Sequence, residues 1–214
     1  DPDYVLPGAR VDSEVPRMPL VQYGGSHRVR PRAGTEVLSQ TVAPYFQRTW
    51  RHYSSHHQTP YDRPTGLPAA TRKGPVIYVA APVFAAYARQ AYPISRQLLS
   101  SYLALLLPTP LVRASLPTAG QVTLLEQPDG RRVAHLLYYV WQRRAPDLDV
   151  LEDVVPLHDV DLVARTRQPS RRVYLAPQGQ DLEFAVAAIP GTHDQTVSTR
   201  VPLVAGHQMV VFEP

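Results

Sequence analysis

The sequence predicts a chain of two characters, a mixed α/β half followed by an all-β antiparallel half, with the change at Leu107-Pro-Thr-Pro110. Three observations predict it. Ile94, Leu98, Tyr102 and Leu106 recur every four residues, the spacing of an amphipathic helix. The apolar run Val76-Ile-Tyr-Val-Ala-Ala81, bounded by Pro75 and Pro82, reads as a buried strand of a parallel sheet covered on both faces. From Leu111 onward, short apolar stretches alternate with turn residues at regular intervals, the pattern of an antiparallel sandwich. The expected domains are residues 1–108 and 109–214.

Taken in order, residues 1–34 are rich in Pro and Gly and read as irregular, with a short strand near Val21. Thr35 to Tyr53 carries apolar residues at Val37, Leu38, Val42, Tyr45, Phe46 and Trp50, which favours a helix broken or started by Pro44. Ser54 to Gly74 reads as a polar loop punctuated by Pro60, Pro64, Gly66 and Pro68. Val83 to Tyr92 has room for a turn or two of helix. Pro93 suits the first turn of the next helix, where its missing N–H is not needed, and Pro108 and Pro110 stop it.

The second half predicts strands over 111–116, 122–127, 132–140, 160–166, 173–176, 182–187, 196–204 and 208–213. Pro128-Asp-Gly130 is a hairpin signal. Residues 141–156 read as a long charged loop.

Composition narrows the classes. The chain has 214 residues, 44% apolar and 19% charged, which is globular. It has no Cys, hence no disulfide framework and no thiolate ligand or nucleophile. The run Leu98 to Leu107 falls short of the roughly 20 residues a bilayer needs, so no membrane partner is expected. A cytoplasmic location is favoured. Lys73 is the sole lysine among 22 basic residues. The Arg residues fall in scattered pairs (Arg131-Arg132, Arg143-Arg144, Arg171-Arg172) without the clustering of a nucleic-acid surface, so no nucleic-acid partner is expected. The opening Asp1-Pro-Asp-Tyr-Val5 has neither an initiator Met nor a complete βαβ series, and reads as the tail of a larger enzyme cut before its catalytic part.

The densest polar-aromatic segment is Tyr45-Phe-Gln-Arg-Thr-Trp-Arg-His-Tyr-Ser-Ser-His-His-Gln-Thr-Pro60. His52 and His56, four apart, would share a helix face. They read first as His side chains at a helix C-terminus, second as a ligand or subunit contact, and last as a metal pair lacking its third ligand. Trp50 reads as filling the core between helix and sheet, whereas Tyr61, in the loop, is the better contact candidate. Asp147, Asp149, Glu152 and Asp153 read as a solvated run paired with Arg143 and Arg144 rather than a calcium site, because the EF-hand Gly and spacing are missing. Glycoside hydrolysis needs two facing carboxyl groups. Before residue 110 the acids are only Asp1, Asp3, Asp12, Glu14, Glu36 and Asp62. No nucleophile elbow, GxGxxG or P-loop pattern is present. The expectation is no catalytic residue, metal or cofactor in this chain.

Four stretches carry a resemblance: 44–60, Gly74-Pro-Val-Ile-Tyr-Val-Ala-Ala-Pro-Val-Phe84, Arg132-Val-Ala-His-Leu-Leu-Tyr-Tyr139 and Val173-Tyr-Leu-Ala-Pro-Gln178. With the order of elements, they resemble the C-terminal region of large bacterial glycoside hydrolases that carry a β-galactosidase-type trimerisation domain, related to β-galactosidases and α-L-fucosidases. The resemblance implies that residues 1–108 are the later part of a flavodoxin-like, glutamine amidotransferase-like domain, and that residues 109–214 are an antiparallel β-sandwich. It implies a catalytic (β/α)8 barrel outside this chain, a homo-oligomer, and an assembly role. By the same implication His56, His57 and Tyr61 are the positions for a contact with sugar or a neighbouring subunit. Two other classes compete. One is a carbohydrate-binding module with a platform among Tyr138, Tyr139, Trp141 and Tyr174. The other is a free-standing hydrolase using His56 and a carboxylate.

Overall fold

The structure, a computed structural model, describes residues 2–12 and 14–214. The reading of Asp1 as a truncated start lies outside the described residues. The chain divides into two compact units, Asp1–Pro108 and Thr109–Pro214.

The first unit is built on strands β1 (Asp3–Pro7), β2 (Leu20–Gln22), β3 (Glu36–Pro44), β4 (Tyr61–Lys73) and β5 (Val76–Val79), followed by helices α1 (Val83–Gln90) and α2 (Pro93–Leu106). The strands form one sheet in the order β2-β1-β3-β4-β5, and every neighbouring pair is antiparallel. This corrects the α/β expectation: the unit is no part of a flavodoxin-like or glutamine amidotransferase-like domain, whose sheet would be parallel with crossover helices.

The expected helix over 35–53 is β3 and the loop after it. The reason is visible in the pairing. The register between β3 and β4 shifts repeatedly between Val37 and Pro44, and such bulges break the two-residue alternation of a strand. Buried doublets Leu38-Ser39 and Thr41-Val42 then recur at a three-residue interval, which mimics a helix. The expected polar loop over 54–74 is largely β4. Pro64 and Pro68 are tolerated there because β5 pairs only with Ala70 to Lys73, leaving the other edge of that stretch open. Likewise β5 is an edge strand and not a doubly covered one: Val76 and Tyr78 face outward, while Ile77 and Val79 pack inward.

Pro93 opens α2, and Leu98 and Tyr102 on that helix pack into a core with Val5, Leu20, Leu38 and Ala70. The Ser101 hydroxyl accepts from the Asp12 backbone N–H at 2.7 Å, fixing the chain at Asp12 to the helix.

The second unit carries β6 (Val112–Ala114), β7 (Gly120–Glu126), β8 (Arg132–Tyr138), β9 (Gln142–Ala145), β10 (Leu148–Val150), β11 (Leu157–Thr166), β12 (Arg172–Ala176), β13 (Phe184–Ala188), β14 (Gln195–Val204) and β15 (His207–Glu213). Two four-stranded antiparallel sheets, ordered β13-β14-β11-β6 and β12-β15-β8-β7, share one core. Leu162, Ala164, Val197 and Val201 enter it from the first sheet, and Ala134, Leu136, Val210 and Phe212 from the second. This is the packing of a β-sandwich. The turn at Pro128-Asp-Gly130 closes β7 on β8 through the Gln127 N–H to Arg131 O bond of 2.8 Å, with Gly130 at φ +86°. The stretch expected as a long loop contains the β9–β10 hairpin. There Arg143 pairs with Asp149 and Arg144 with Glu152.

Candidate functional site: the β3–β4 loop

Residues 45–60 leave the sheet between β3 and β4 and return to it. The root of the loop is closed by the Tyr45 N–H to Pro60 O bond of 2.7 Å and by the Thr59 hydroxyl donating to Phe46 O at 2.8 Å. The Tyr4 hydroxyl, from β1, donates to the Thr59 carbonyl. Its burial raises the Tyr4 phenol pKa above the ordinary value. Farther out, Thr49 and His52 exchange backbone bonds of 2.9 and 3.2 Å, folding residues 49–52 into a tight turn. Trp50 sits on that turn and is 87% exposed, with the Arg51 guanidinium 4.7 Å over its ring. Trp50 is therefore no core residue. Its apolar spacing with Val42 and Phe46 came from a chain that reverses, not from a helix.

The predicted contact residues separate into two settings. His57 stacks on Tyr23 at 5.3 Å between ring centroids, and Tyr23 in turn lies 5.9 Å from Tyr92 at the start of α2. The Tyr23 hydroxyl donates to Gln58 Oε1 at 2.7 Å. Desolvation, then the Tyr92 hydroxyl beside it, raises the Tyr23 pKa. Tyr61, at the first position of β4, meets Tyr4 edge-on at 5.9 Å and is half exposed. His56 is exposed, and its backbone N–H bonds the Ser54 hydroxyl at 3.3 Å. His52 packs against Phe46 at 5.7 Å, so His52 and His56 do not share a helix face. Among the described residues there is no group of three or more His, Cys, Asp or Glu that could hold a metal ion.

Tyr23 and Tyr92 complete this surface, with the buried Tyr4 beneath it, and no sequence signal joins the three. They stand far apart in the chain and meet only because β1 pairs with β2 and α2 packs against both. Tyr92 also borders an apolar cavity of about 150 Å³ with Val5, Leu20 and Leu98 among its walls.

Chemically, the loop offers ring faces, imidazoles and guanidinium groups. It contains no Asp or Glu and so supplies no carboxyl pair for acid–base hydrolysis.

No family model and no curated protein matches the chain. A solved structure does: α-L-fucosidase isoenzyme 2 from Paenibacillus thiaminolyticus, 31% identical, with a TM-score of 0.85. The chain resembles part of a fucosidase. The match covers 99% of this chain and 32% of that one, so the chain spans about a third of the fucosidase's length. The likeness supports a relation to glycoside hydrolases. A cycloisomaltooligosaccharide glucanotransferase from Paenibacillus sp. matches over 56% of this chain and 20% of its own, at 12% identity and a TM-score of 0.29.

Proposed function

We propose that the chain is a non-catalytic accessory portion of a carbohydrate-active glycoside hydrolase, and that its role is assembly. The likeness to about a third of an α-L-fucosidase, over nearly all of this chain, is the observation that carries the reading. The catalytic (β/α)8 barrel then lies outside residues 1–214, and the parent is a homo-oligomer of α-L-fucosidase type, with the β-galactosidase type as the alternative. The β3–β4 loop is the contact element. Trp50, Tyr53 and Tyr45 are 87%, 77% and 70% exposed on one short segment, and clustered aromatics of this kind are enriched where protein surfaces meet. His56, His57 and Tyr61 are the contact positions toward a neighbouring subunit or a bound sugar.

The test uses the full-length parent carrying Trp50→Ala, His56→Ala and His57→Ala together. Light scattering should report a smaller particle, or kcat/KM on an aryl α-L-fucoside should fall by about tenfold or more. Unchanged particle size together with unchanged kcat/KM would make the loop a structural ornament and end this reading.

Trp141, 63% exposed in the second unit, favours a carbohydrate-binding module as the second reading. Retention of the chain on an immobilised neutral polysaccharide, lost in Trp141→Ala, would select it.

A further inference from the structure

The outer face of the sheet in the first unit carries a cationic groove that the assembly reading does not use. Its floor is the end of the β4–β5 pair. Thr71 pairs with Tyr78 and Lys73 with Val76, so these four residues share one face. Ile77 and Val79, on the other face, pack into the core. Val76 and Tyr78 are thereby left outside, 61% and 46% exposed. Residues 27–35 run alongside as a wall. The His27 N–H donates to Ala80 O at 2.8 Å at one end of this segment, and the Thr35 N–H to Arg32 O at 3.2 Å at the other. Lys73 Nζ donates to Ala33 O at 3.2 Å and ties the wall to the floor. Between them lies a groove of about 290 Å³ whose lining includes Arg30, Pro31, Arg32, Lys73, Val76 and Tyr78.

The groove has one sign of charge. Its lining holds three cations and, among the described residues, no carboxylate. Among the described residues no ion pair engages Arg30, Arg32 or Lys73. The acid nearest to it in the chain, Glu36, aligns with Arg72, and Arg72 with Ile77, so Glu36 belongs to the opposite face of the sheet. There it lies 3.6 Å from Arg10. A concave surface lined by cations alone concentrates its field and draws anions to it.

We propose that this groove binds an anionic saccharide, a sugar ring bearing a sulfate or carboxylate group. Guanidinium groups take up such oxyanions through paired N–H donors, which Arg30 and Arg32 have free. The Tyr78 ring, with Val76 and Pro31 beside it, gives the C–H face of the sugar an apolar seat between the charges. A neutral sugar would leave the cations unused, and a free inorganic anion would leave the apolar floor unused. A nucleic-acid strand is held by successive stacking aromatics, and Tyr78 is the one aromatic in the described lining. The choice of a sugar rests on the glycoside hydrolase reading; the choice of an anion rests on the groove alone.

The test is titration calorimetry of the 214-residue chain with a sulfated fucan, the same fucan after desulfation, an oligogalacturonate, inorganic sulfate and single-stranded DNA. The sulfated fucan and the oligogalacturonate should bind at least about tenfold more tightly than the desulfated fucan. Arg30→Ala with Arg32→Ala should abolish that advantage, and Tyr78→Ala should weaken both anionic sugars. All three side chains are exposed, so Tm should not move. Arg167→Ala with Arg171→Ala removes the same charge from the second unit and should leave the binding in place. Three outcomes would overturn the proposal. The anionic sugars bind no better than the desulfated fucan. The two double variants weaken binding equally, so that only net charge matters. Or inorganic sulfate or DNA binds as tightly as the anionic sugars, which keeps an anion site and rejects the sugar. None of these bears on the particle size that tests the assembly reading.

Discussion

The hydroxyls of Ser39 and Tyr102 lie 2.7 Å apart with both residues buried, joining β3 to α2 inside the core of the first unit. Among the described residues, each hydroxyl has the other as its side-chain partner. Tyr102→Phe removes one of them and leaves the Ser39 hydroxyl orphaned, at a cost of about 1–2 kcal/mol. Ser39→Ala with Tyr102→Phe removes both, and the double variant should be less destabilised than the sum of the single ones. Denaturant midpoints of the four proteins check this; strict additivity would mean that the two hydroxyls do not interact.

The same tyrosine makes the first unit sensitive to alkali. Burial pushes the Tyr102 pKa from 10.0 up to about 12, the Ser39 bond opposing it. Below about pH 10 the phenol keeps its proton in both folded and unfolded chains, so it adds no pH dependence. Between about 10 and 12 the unfolded chain releases the proton and the folded chain retains it, so stability falls as pH rises, by roughly 2 kcal/mol over that window. Urea unfolding should show this decline in the native protein and a shallower one in Tyr102→Phe.

Gly8 and Gly66 should respond differently to alanine. A Cβ on Gly8 would lie 2.5 Å from the Leu38 carbonyl oxygen, a backbone atom in the middle of β3. Gly66 has φ +74° but open space around it. Gly66→Ala should cost about 1 kcal/mol, the conformational penalty alone. Gly8→Ala forces β1 away from β3 and should cost about 2 kcal/mol or more. Thermal unfolding of the two variants ranks them, and the reverse order would contradict the packing described here.

Arg132→Met should destabilise the second unit by about 2 kcal/mol. It strips the Arg165 carbonyl of its charged donor and separates the sheets at the Arg132 end of the sandwich. The loss of Glu126's partner adds little, because that carboxylate is half exposed and regains water. Glu126→Gln, which leaves the Arg132–Arg165 link in place, should therefore cost well under half as much. Equal losses in the two variants would argue that the ion pair, and not the inter-sheet link, holds that end.

The second unit was largely legible in the sequence, and the first was not. Strands such as β11 and β14 alternate through their middles because one face meets a single core, so Leu162, Ala164, Val197 and Val201 declare themselves. Pro93 and the four-residue spacing through Tyr102 gave away α2 for the same reason. The failures cluster on β3 and β4. Bulges there replaced a two-residue period with a three-residue one. Prolines normally signal a loop, but Pro64 and Pro68 occupy an edge with no strand beyond it. The proposed contact surface was half visible. Its His-rich loop stands out in composition, but Tyr4, Tyr23 and Tyr92 reach it only through sheet pairing and helix packing.

The loop rooted at Tyr45 and Pro60 has an evolutionary corollary. Its two ends are tied to each other before the strands begin, so its tip contributes nothing to how β3 and β4 align. Such a segment is an exchangeable cassette. Related chains can lengthen it, shorten it or change its aromatics while the frame beneath stays the same, so partner preference can diverge faster than architecture. Swapping 46–59 between two such proteins should transfer the preference and leave the melting behaviour with the host.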